Sequence, residues 1–440
     1  MKLPIKSLAV LAPLFAAMPA WAQDAAPAVA ETVDKGDTAW MMTATILVLM
    51  MIVPGLALFY GGLVRTKNML SMLTQVLGVC ALAMIIWVGW GYSLAFSGGG
   101  AFIGDTAKLF LAGVTPDSTA ATFSEGVAIP EYVFISFQMT FAAITTCLIL
   151  GGLAERLKFG AALLFAAIWL TIVYFPIAHM VWAAGGYLFE MGALDFAGGT
   201  VVHINAGVAA LVGAIMLGRR TGYQRDVMAP HSLVMTLIGA GLLWVGWFGF
   251  NAGSALEANG SAALAMINTF VATAAGVLAW MLAERVAGHK SSLLGAASGA
   301  IAGLVAVTPA AGNSGPFGAV ALGAIASVGC FWFVSVLKPR LKLDDSLDAF
   351  GIHGVGGIIG SIGTAIVYAP SLGGPGGADY VIGDKLVVQI VAVLIAVAWS
   401  AIGSAIAFGI VKYTIGLRVS EEVEREGLDL GEHGERAYNY

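Results

Sequence analysis

Two histidines, His203 and His353, stand in apolar stretches where an ionisable side chain is costly. Each histidine follows a similar short segment, which begins with Asp195 or Asp348 and contains Phe and Gly. An imidazole has one donor and one acceptor nitrogen, so it can hold a small polar molecule and relay a proton. We expect the two rings to form one functional pair. The alternative is that each ring only bonds a neighbouring backbone carbonyl.

The aspartates that open these runs suit a structural role. Asp195 precedes Gly198 and Gly199, where a carboxylate can accept hydrogen bonds from the free backbone N–H groups of a helix start. The same capping role is favoured for Asp348 over direct contact with a substrate. For His179, which lies in another apolar run, a structural hydrogen bond is favoured over a place in a pore wall.

Aromatic residues form the next feature. Phe141 and Trp182 lie in separate apolar runs, and residues 247–254 combine Trp and two Phe with Asn, Gly and Ser. Aromatic residues at helix ends usually form an interface belt, and those within a helix usually pack. Periodicity alone favours those two roles here.

The composition decides what kind of chain must position these residues. Of 440 residues only 11% are charged and 59% are hydrophobic, with a mean hydropathy of +0.89, whereas soluble domains carry roughly 25% charged residues. A soluble globule is excluded, so the surface must face lipid. The net charge of −5 argues against a nucleic-acid partner. Because all three cysteines lie in apolar runs and no hydrolase motif occurs, we predict no disulfide, metal site, cofactor or enzymatic activity.

The apolar segments predict an all-α integral membrane protein. Eleven segments approach or exceed the length of a membrane span. They lie near 38–64, 69–97, 130–153, 159–184, 196–218, 231–255, 262–284, 293–310, 315–337, 347–369 and 385–412.

Residues 1–22 are predicted to be a signal peptide. Two lysines precede an apolar run from Leu8 to Ala17, and Ala20 to Ala22 has the small-residue pattern of a cleavage site. That run is shorter than the roughly 20 residues that a membrane span needs, which disfavours an uncleaved first helix. Cleavage after Ala22 would leave the mature N-terminus outside the membrane.

The basic residues provide an independent test of orientation, because Lys and Arg concentrate in cytoplasmic loops. With the N-terminus outside, only Lys35, Lys108 and Lys385 fall on the outer side. Sixteen fall on the inner side: Arg65, Lys67, Arg156, Lys158, Arg219, Arg220, Arg225, Arg285, Lys290, Lys338, Arg340, Lys342, Lys412, Arg418, Arg425 and Arg436. The tail, residues 413–440, is therefore predicted to be cytoplasmic.

Eleven helices divide into two groups of five and one extra helix. Since five is odd, the second group enters from the opposite face, as in an inverted repeat. The halves cover about 38–218 and 231–369. At 1.5 Å per residue, His203 lies about 12 Å beyond Asp195, and His353 lies about 13 Å beyond Asp344. Both histidines are thus predicted to meet near the middle of a roughly 30 Å hydrocarbon layer.

The motifs together resemble those of a known family. The segments Phe137–Phe141, Asp195–Asn205, Trp247–Ser254 and Asp348–Gly354 are similar to those of the ammonium transporter family of bacterial inner-membrane proteins. The resemblance runs from about residue 38 to the end of the chain. The tail from Gly416 to Tyr440 resembles that of members regulated by a P-II signal protein.

The resemblance implies roles for particular residues. Trp182, Phe141 and Ser254 would form an outer ammonium recruitment site, with Phe141 and Phe250 stacked below it as a gate. Asp195 would support that site without holding the ion directly.

The resemblance also implies a pore and an assembly. His203 and His353 would line the pore as a hydrogen-bonded pair. A homotrimer with one pore per subunit is expected, with a P-II protein docking at the tail. The alternatives are a passive channel for ammonia or carbon dioxide, and an ammonium sensor that signals through a P-II partner.

Overall fold

The computed structural model describes residues 31–438, so the predicted signal peptide lies outside the described residues. Within that range eleven helices are long and apolar enough to cross a membrane, which confirms the predicted number. They are α1 Lys35–Leu63, α2 Thr66–Phe96, α3 Glu131–Leu153, α4 Phe159–Glu190, α5 Gly199–Leu217, α6 Leu233–Gly253, α7 Gly260–Val286, α8 Leu293–Ala310, α9 Pro316–Arg340, α10 Phe350–Val367 and α11 Ile382–Thr414.

The fold class is confirmed: two sets of five helices are followed by one further helix. Most boundaries lie within a few residues of the predicted ones, because the length of each apolar run sets the length of its helix. Polar residues mark several starts. Ser232, Asn259 and Ser292 cap α6, α7 and α8 by accepting hydrogen bonds from backbone N–H groups of the first turn.

The loop between α2 and α3 contributes two strands to a small sheet. The sheet consists of β1 Thr32–Val33, β2 Thr119–Ala121 and β3 Val127–Pro130, in the order β1-β3-β2. β1 pairs parallel to β3 with Thr32 opposite Val127, and β2 pairs antiparallel to β3. The sheet ties the segment before α1 to the loop that leads into α3.

Helices α5 and α10 approach each other closely. A Cβ added at Gly207 of α5 would lie 2.3 Å from the backbone nitrogen of Gly354 in α10, so no larger residue fits there. A Cβ at Gly357 of α10 would lie 3.1 Å from the Cβ of His203. This close backbone approach, of the kind that small residues permit between membrane helices, brings the two histidine-bearing segments together.

The tail folds back onto the loops between the helices. It forms two short helices, α12 Glu421–Glu426 and α13 Leu428–His433. The Asp429 carboxylate accepts a hydrogen bond from the backbone N–H of Ser71 (2.8 Å), and the Glu432 carboxylate accepts one from Phe159 (2.9 Å). The tail is therefore docked on the starts of α2 and α4 and is not a free appendage.

Candidate functional site

Asp195 caps the start of α5. Its carboxylate accepts hydrogen bonds from the backbone N–H groups of Gly198 (2.9 Å), Thr200 (2.9 Å) and Val201 (3.2 Å). Gly198 has φ of 118°, a left-handed conformation that glycine adopts without steric cost. The helix thus begins in a tight turn that closes around one carboxylate.

The prediction that Asp348 caps α10 is wrong, because Asp345 does so. The Asp345 carboxylate accepts hydrogen bonds from the backbone N–H groups of Ala349 (3.0 Å), Phe350 (2.9 Å) and Gly351 (3.1 Å). Asp348 lies inside the turn that Asp345 closes, so its carboxylate points elsewhere and forms an ion pair with Lys338. Burial and the nearby Asp348 raise the pKa of Asp345 to about 6.

The structure places His203 and His353 side by side. Their Nδ1 atoms lie 3.2 Å apart, and the ring centroids lie 5.3 Å apart with planes inclined by 22°. Each ring stands in a wide π-type turn at the start of its helix, Gly199–Ile204 in α5 and Phe350–Gly354 in α10. Both rings are almost fully buried, His203 being 1% and His353 5% exposed.

The aromatic residues form a second cluster next to the histidines. Phe141 and Phe250 are stacked face to face, with centroids 4.1 Å apart and an interplanar angle of 17°. Trp182 meets Phe141 edge-on at 5.8 Å, and Phe250 lies 6.0 Å from His203. The rings thus form a continuous series from the partly exposed Trp182 to the buried histidine.

Polar groups fix the exposed end of this series. The Trp182 indole N–H donates to the backbone carbonyl of Asp195 (2.9 Å), so the residue that caps α5 also orients the tryptophan. The Ser254 hydroxyl donates to the carbonyl of Phe250 (2.8 Å). Its oxygen lone pairs stay available to accept a hydrogen bond.

Two cavities adjoin the histidine pair. A small void of about 10 Å³ lies among Phe250, His203, His353 and apolar side chains. A larger cavity of about 320 Å³ is lined by His353, Asp348 and Tyr60. His353 borders both cavities, of which the narrow apolar one is called the bore and the larger one the chamber.

Sequence reasoning missed two residues that hold the pair. Trp247 stacks on His203 with centroids 5.4 Å apart, and its indole N–H donates to the Thr308 hydroxyl (2.9 Å). That hydroxyl oxygen also lies 3.3 Å from Nε2 of His203. Trp247 belongs to a run that the sequence singled out, whereas nothing in the sequence distinguishes Thr308 from other helical threonines.

His179 has the structural role that its sequence context favours. Its Nδ1 lies 2.9 Å from the carbonyl of Ala95, and its Nε2 lies 2.7 Å from the carbonyl of Gly100. Both ring nitrogens therefore lie against backbone carbonyls, one in the last turn of α2 and one in the loop that follows it. His179 contributes no free nitrogen to a pore.

Comparison with known proteins identifies the family. The sequence profile of the Ammonium Transporter Family matches residues 39–438. The chain is 47% identical to an ammonium transporter of Aquifex aeolicus (strain VF5), over 92% of this chain and 94% of the relative. It is also 47% identical to an ammonium transporter of Bacillus subtilis (strain 168), over 92% of this chain and 98% of the relative.

Solved structures agree with this assignment. The fold is similar to that of Saccharomyces cerevisiae Mep2, with a TM-score of 0.79 and 35% identity over 88% of this chain and 91% of that one. It is similar also to a sensor Amt protein, with a TM-score of 0.82 and 28% identity over 90% and 98% of the two chains. The chain is a multi-pass membrane protein that belongs to the ammonium transporter family, and it transports ammonium.

Proposed function

We propose that ammonium is recruited at Trp182, Phe141 and Ser254 and that ammonia and its proton then pass a pore lined by His203 and His353. The observation that carries the proposal is the 3.2 Å contact between the two Nδ1 atoms in an otherwise apolar bore. The recruitment site and the pore are consecutive steps of one path.

Recruitment rests on the partly exposed aromatic cluster. A cation over aromatic faces gains about 0.5 to 2 kcal/mol as it loses water. Trp182 and Phe141 stand edge to face and so offer ring surfaces at an angle to each other. The Ser254 oxygen can accept an N–H of the ion, which potassium cannot donate.

The stacked rings of Phe141 and Phe250 act as a gate. With centroids 4.1 Å apart they leave no space between them, so one ring must swing aside to admit a molecule. Because the bore beyond them is narrow and apolar, an intact ion would lose many kcal/mol of hydration there. Separation of ammonia from its proton is the less costly route.

The histidine pair supplies the polar groups of that route. Neutral imidazoles can accept a hydrogen bond from, or donate one to, ammonia, and the Nδ1 contact offers a path for the proton between the rings. Potassium has no proton to lose. Selectivity therefore arises beyond the gate as well as at the outer site.

The test is current recording on proteoliposomes given ammonium, methylammonium or potassium. The proposal expects an ammonium-selective current that follows the electrical potential. Rapid ammonia or carbon dioxide flux without any current would instead favour the passive gas channel.

The next part of the proposal concerns the location of the protein in the membrane and its assembly. Cleavage after Ala22 would place the mature N-terminus outside the bacterial inner membrane and the tail, residues 413–440, in the cytoplasm. The family resemblance supports a homotrimer with one pore per subunit. N-terminal sequencing of the purified protein and its mass in detergent test these two points.

Regulation by a P-II signal protein is proposed for the tail. The docked tail supports it, because α12 and α13 lie on the loops between helices, where a bound partner could reach the inner pore mouth. A sensor Amt protein is among the structural relatives, and a sensing role through such a partner is the second candidate. A P-II protein that lowers the ammonium current of intact trimers would support regulation.

A further inference from the structure

The hydroxyl of Thr308 lies against the histidine pair on the side away from His353. Thr308 is fully buried at the end of α8. Its Oγ1 lies 2.8 Å from the carbonyl oxygen of Leu304, 2.9 Å from the indole nitrogen of Trp247 and 3.3 Å from Nε2 of His203. One hydroxyl group thus has three polar partners.

The chemistry of these partners sets the direction of each hydrogen bond. A hydroxyl has one hydrogen and two lone pairs. The Leu304 carbonyl can only accept, so it takes the hydroxyl hydrogen, and the Trp247 N–H can only donate, so it takes one lone pair. The remaining lone pair faces Nε2 of His203, which must then carry a hydrogen. Donation from Thr308 to His203 instead would exchange a 2.8 Å bond for one of 3.3 Å.

The hydrogen on Nε2 of His203 also decides where the hydrogen of His353 lies. A neutral His203 with its hydrogen on Nε2 has a bare Nδ1. The facing Nδ1 of His353, 3.2 Å away, must therefore carry the hydrogen of that ring. Nε2 of His353 is left bare, and it makes no hydrogen bond to any residue in the described range 31–438. His353 is also the ring that borders the 320 Å³ cavity.

We propose that Thr308 is a positioning residue that fixes the direction of hydrogen bonding through the pair, so that Nε2 of His353 offers its lone pair to an N–H bond of ammonia beside the 320 Å³ cavity. The inference rests on the proposed function of the pair.

The test combines two Thr308 variants with a matched control. Thr308→Val keeps the shape and removes the hydroxyl, and Thr308→Ser keeps the hydroxyl. Thr273→Val is the control, because Thr273 is a buried helical threonine whose hydroxyl donates to the carbonyl of Thr269 and bonds no other residue between 31 and 438. The readouts are ammonium current and nitrogen NMR of histidine-labelled protein in bilayers, with the two rings identified from spectra of His203→Ala and His353→Ala.

The expected spectra of the wild type and of Thr308→Ser show hydrogen on Nε2 of His203 and on Nδ1 of His353. Thr308→Val is expected to show a mixture of the two tautomers of each ring. Its ammonium current should be lower by about fivefold to tenfold, since one fixed hydrogen bond is lost. Thr308→Ser restores the current, and Thr273→Val leaves it unchanged. These effects would not follow from a purely packing role, because valine fills the same space.

Two results would overturn the inference. One is a wild-type spectrum with hydrogen on Nδ1 of His203 and on Nε2 of His353, and the other is wild-type tautomers and current in Thr308→Val. If Thr308→Val fails to assemble, the wild-type spectrum alone decides. Failure of the proposed function looks different, because His203→Ala and His353→Ala would then carry wild-type current whatever the tautomers are.

Discussion

Asp195 and Asp345 occupy equivalent places in the two halves, each eight residues before the histidine that its helix carries. Each carboxylate accepts hydrogen bonds from at least three backbone N–H groups at the start of its helix. The spacing delivers both histidines to the same depth from opposite ends of the bundle. The contact between the rings therefore depends on both caps.

Asp345→Ala should destabilise the protein by roughly 2 kcal/mol, because it removes a cap and leaves buried N–H groups without partners. Asp34→Ala is the control, since Asp34 caps α1 at an exposed position and should cost less, about 0.5 to 1 kcal/mol. Chemical unfolding of the two variants in detergent provides the comparison. Equal stability of Asp345→Ala and the wild type would show that the cap is dispensable.

The helices and the contact between the histidines could be predicted from the sequence. The length of each apolar run gives the length of a membrane helix, and an ionisable residue within such a helix marks a candidate functional position. The sequence could not predict which aspartate caps α10. Asp344, Asp345 and Asp348 all precede the helix, and tertiary partners decide among them: Asp344 pairs with Arg220, and Asp348 pairs with Lys338.

Thr308 was equally beyond prediction. A helical threonine commonly bonds the carbonyl four residues earlier, as Thr308 does with Leu304. Its contacts with Trp247 and His203 arise only when α6, α5 and α8 pack together. An ionisable residue in a membrane helix is unusual enough to mark a functional position, whereas a neutral threonine there is not.

Glu155→Gln should destabilise the protein at neutral pH and lose that effect in acid. Burial raises the pKa of Glu155, but the charge of Arg220 and the hydrogen bond from Arg65 outweigh burial and lower the pKa to about 2. Because the folded-state pKa lies below the unfolded value near 4.5, this carboxylate stabilises the fold above that pH, by roughly 3 kcal/mol. The contribution disappears as the pH falls towards 2.

Unfolding of the wild type and Glu155→Gln at pH 7 and pH 3 measures this dependence. Glu421→Gln is the control, because Glu421 forms an exposed ion pair with Arg425. Exposed pairs contribute little, so that variant should unfold like the wild type. A constant difference between Glu155→Gln and the wild type at both pH values would argue against the ionised carboxylate.

Trp182→Leu should weaken the apparent affinity for ammonium by about 2-fold to 30-fold with the fold retained, because it removes the best cation-binding face. Trp399→Leu is the control, since Trp399 lies on α11, where its ring stacks on Phe102 and its indole N–H donates to the carbonyl of Ile172. The measurement is the concentration dependence of ammonium current. An unchanged half-saturation concentration would assign Trp182 to the interface belt.

Deletion of the residues after Val419 should impair inhibition by a P-II protein. The deletion removes α12 and α13, including the carboxylates of Asp429 and Glu432 that hold the tail on α2 and α4. The measurement is P-II binding together with ammonium current, and current without P-II serves as the internal control. Equal capture of P-II by the truncated and full-length proteins would remove the tail from this role.

His203→Ala and His353→Ala should each abolish the selective ammonium current, or admit a hydrated cation leak, with assembly disturbed less than transport. The reason is that either change breaks the 3.2 Å contact between the two ionisable groups of the bore. Neutral ammonia can still pass, because removal of a polar ring does not block an apolar bore. His289→Ala is the control, since His289 lies in the loop between α7 and α8. The measurement is ammonium and potassium current through variants shown to be intact oligomers, and wild-type current and selectivity in both would leave the histidines a packing role.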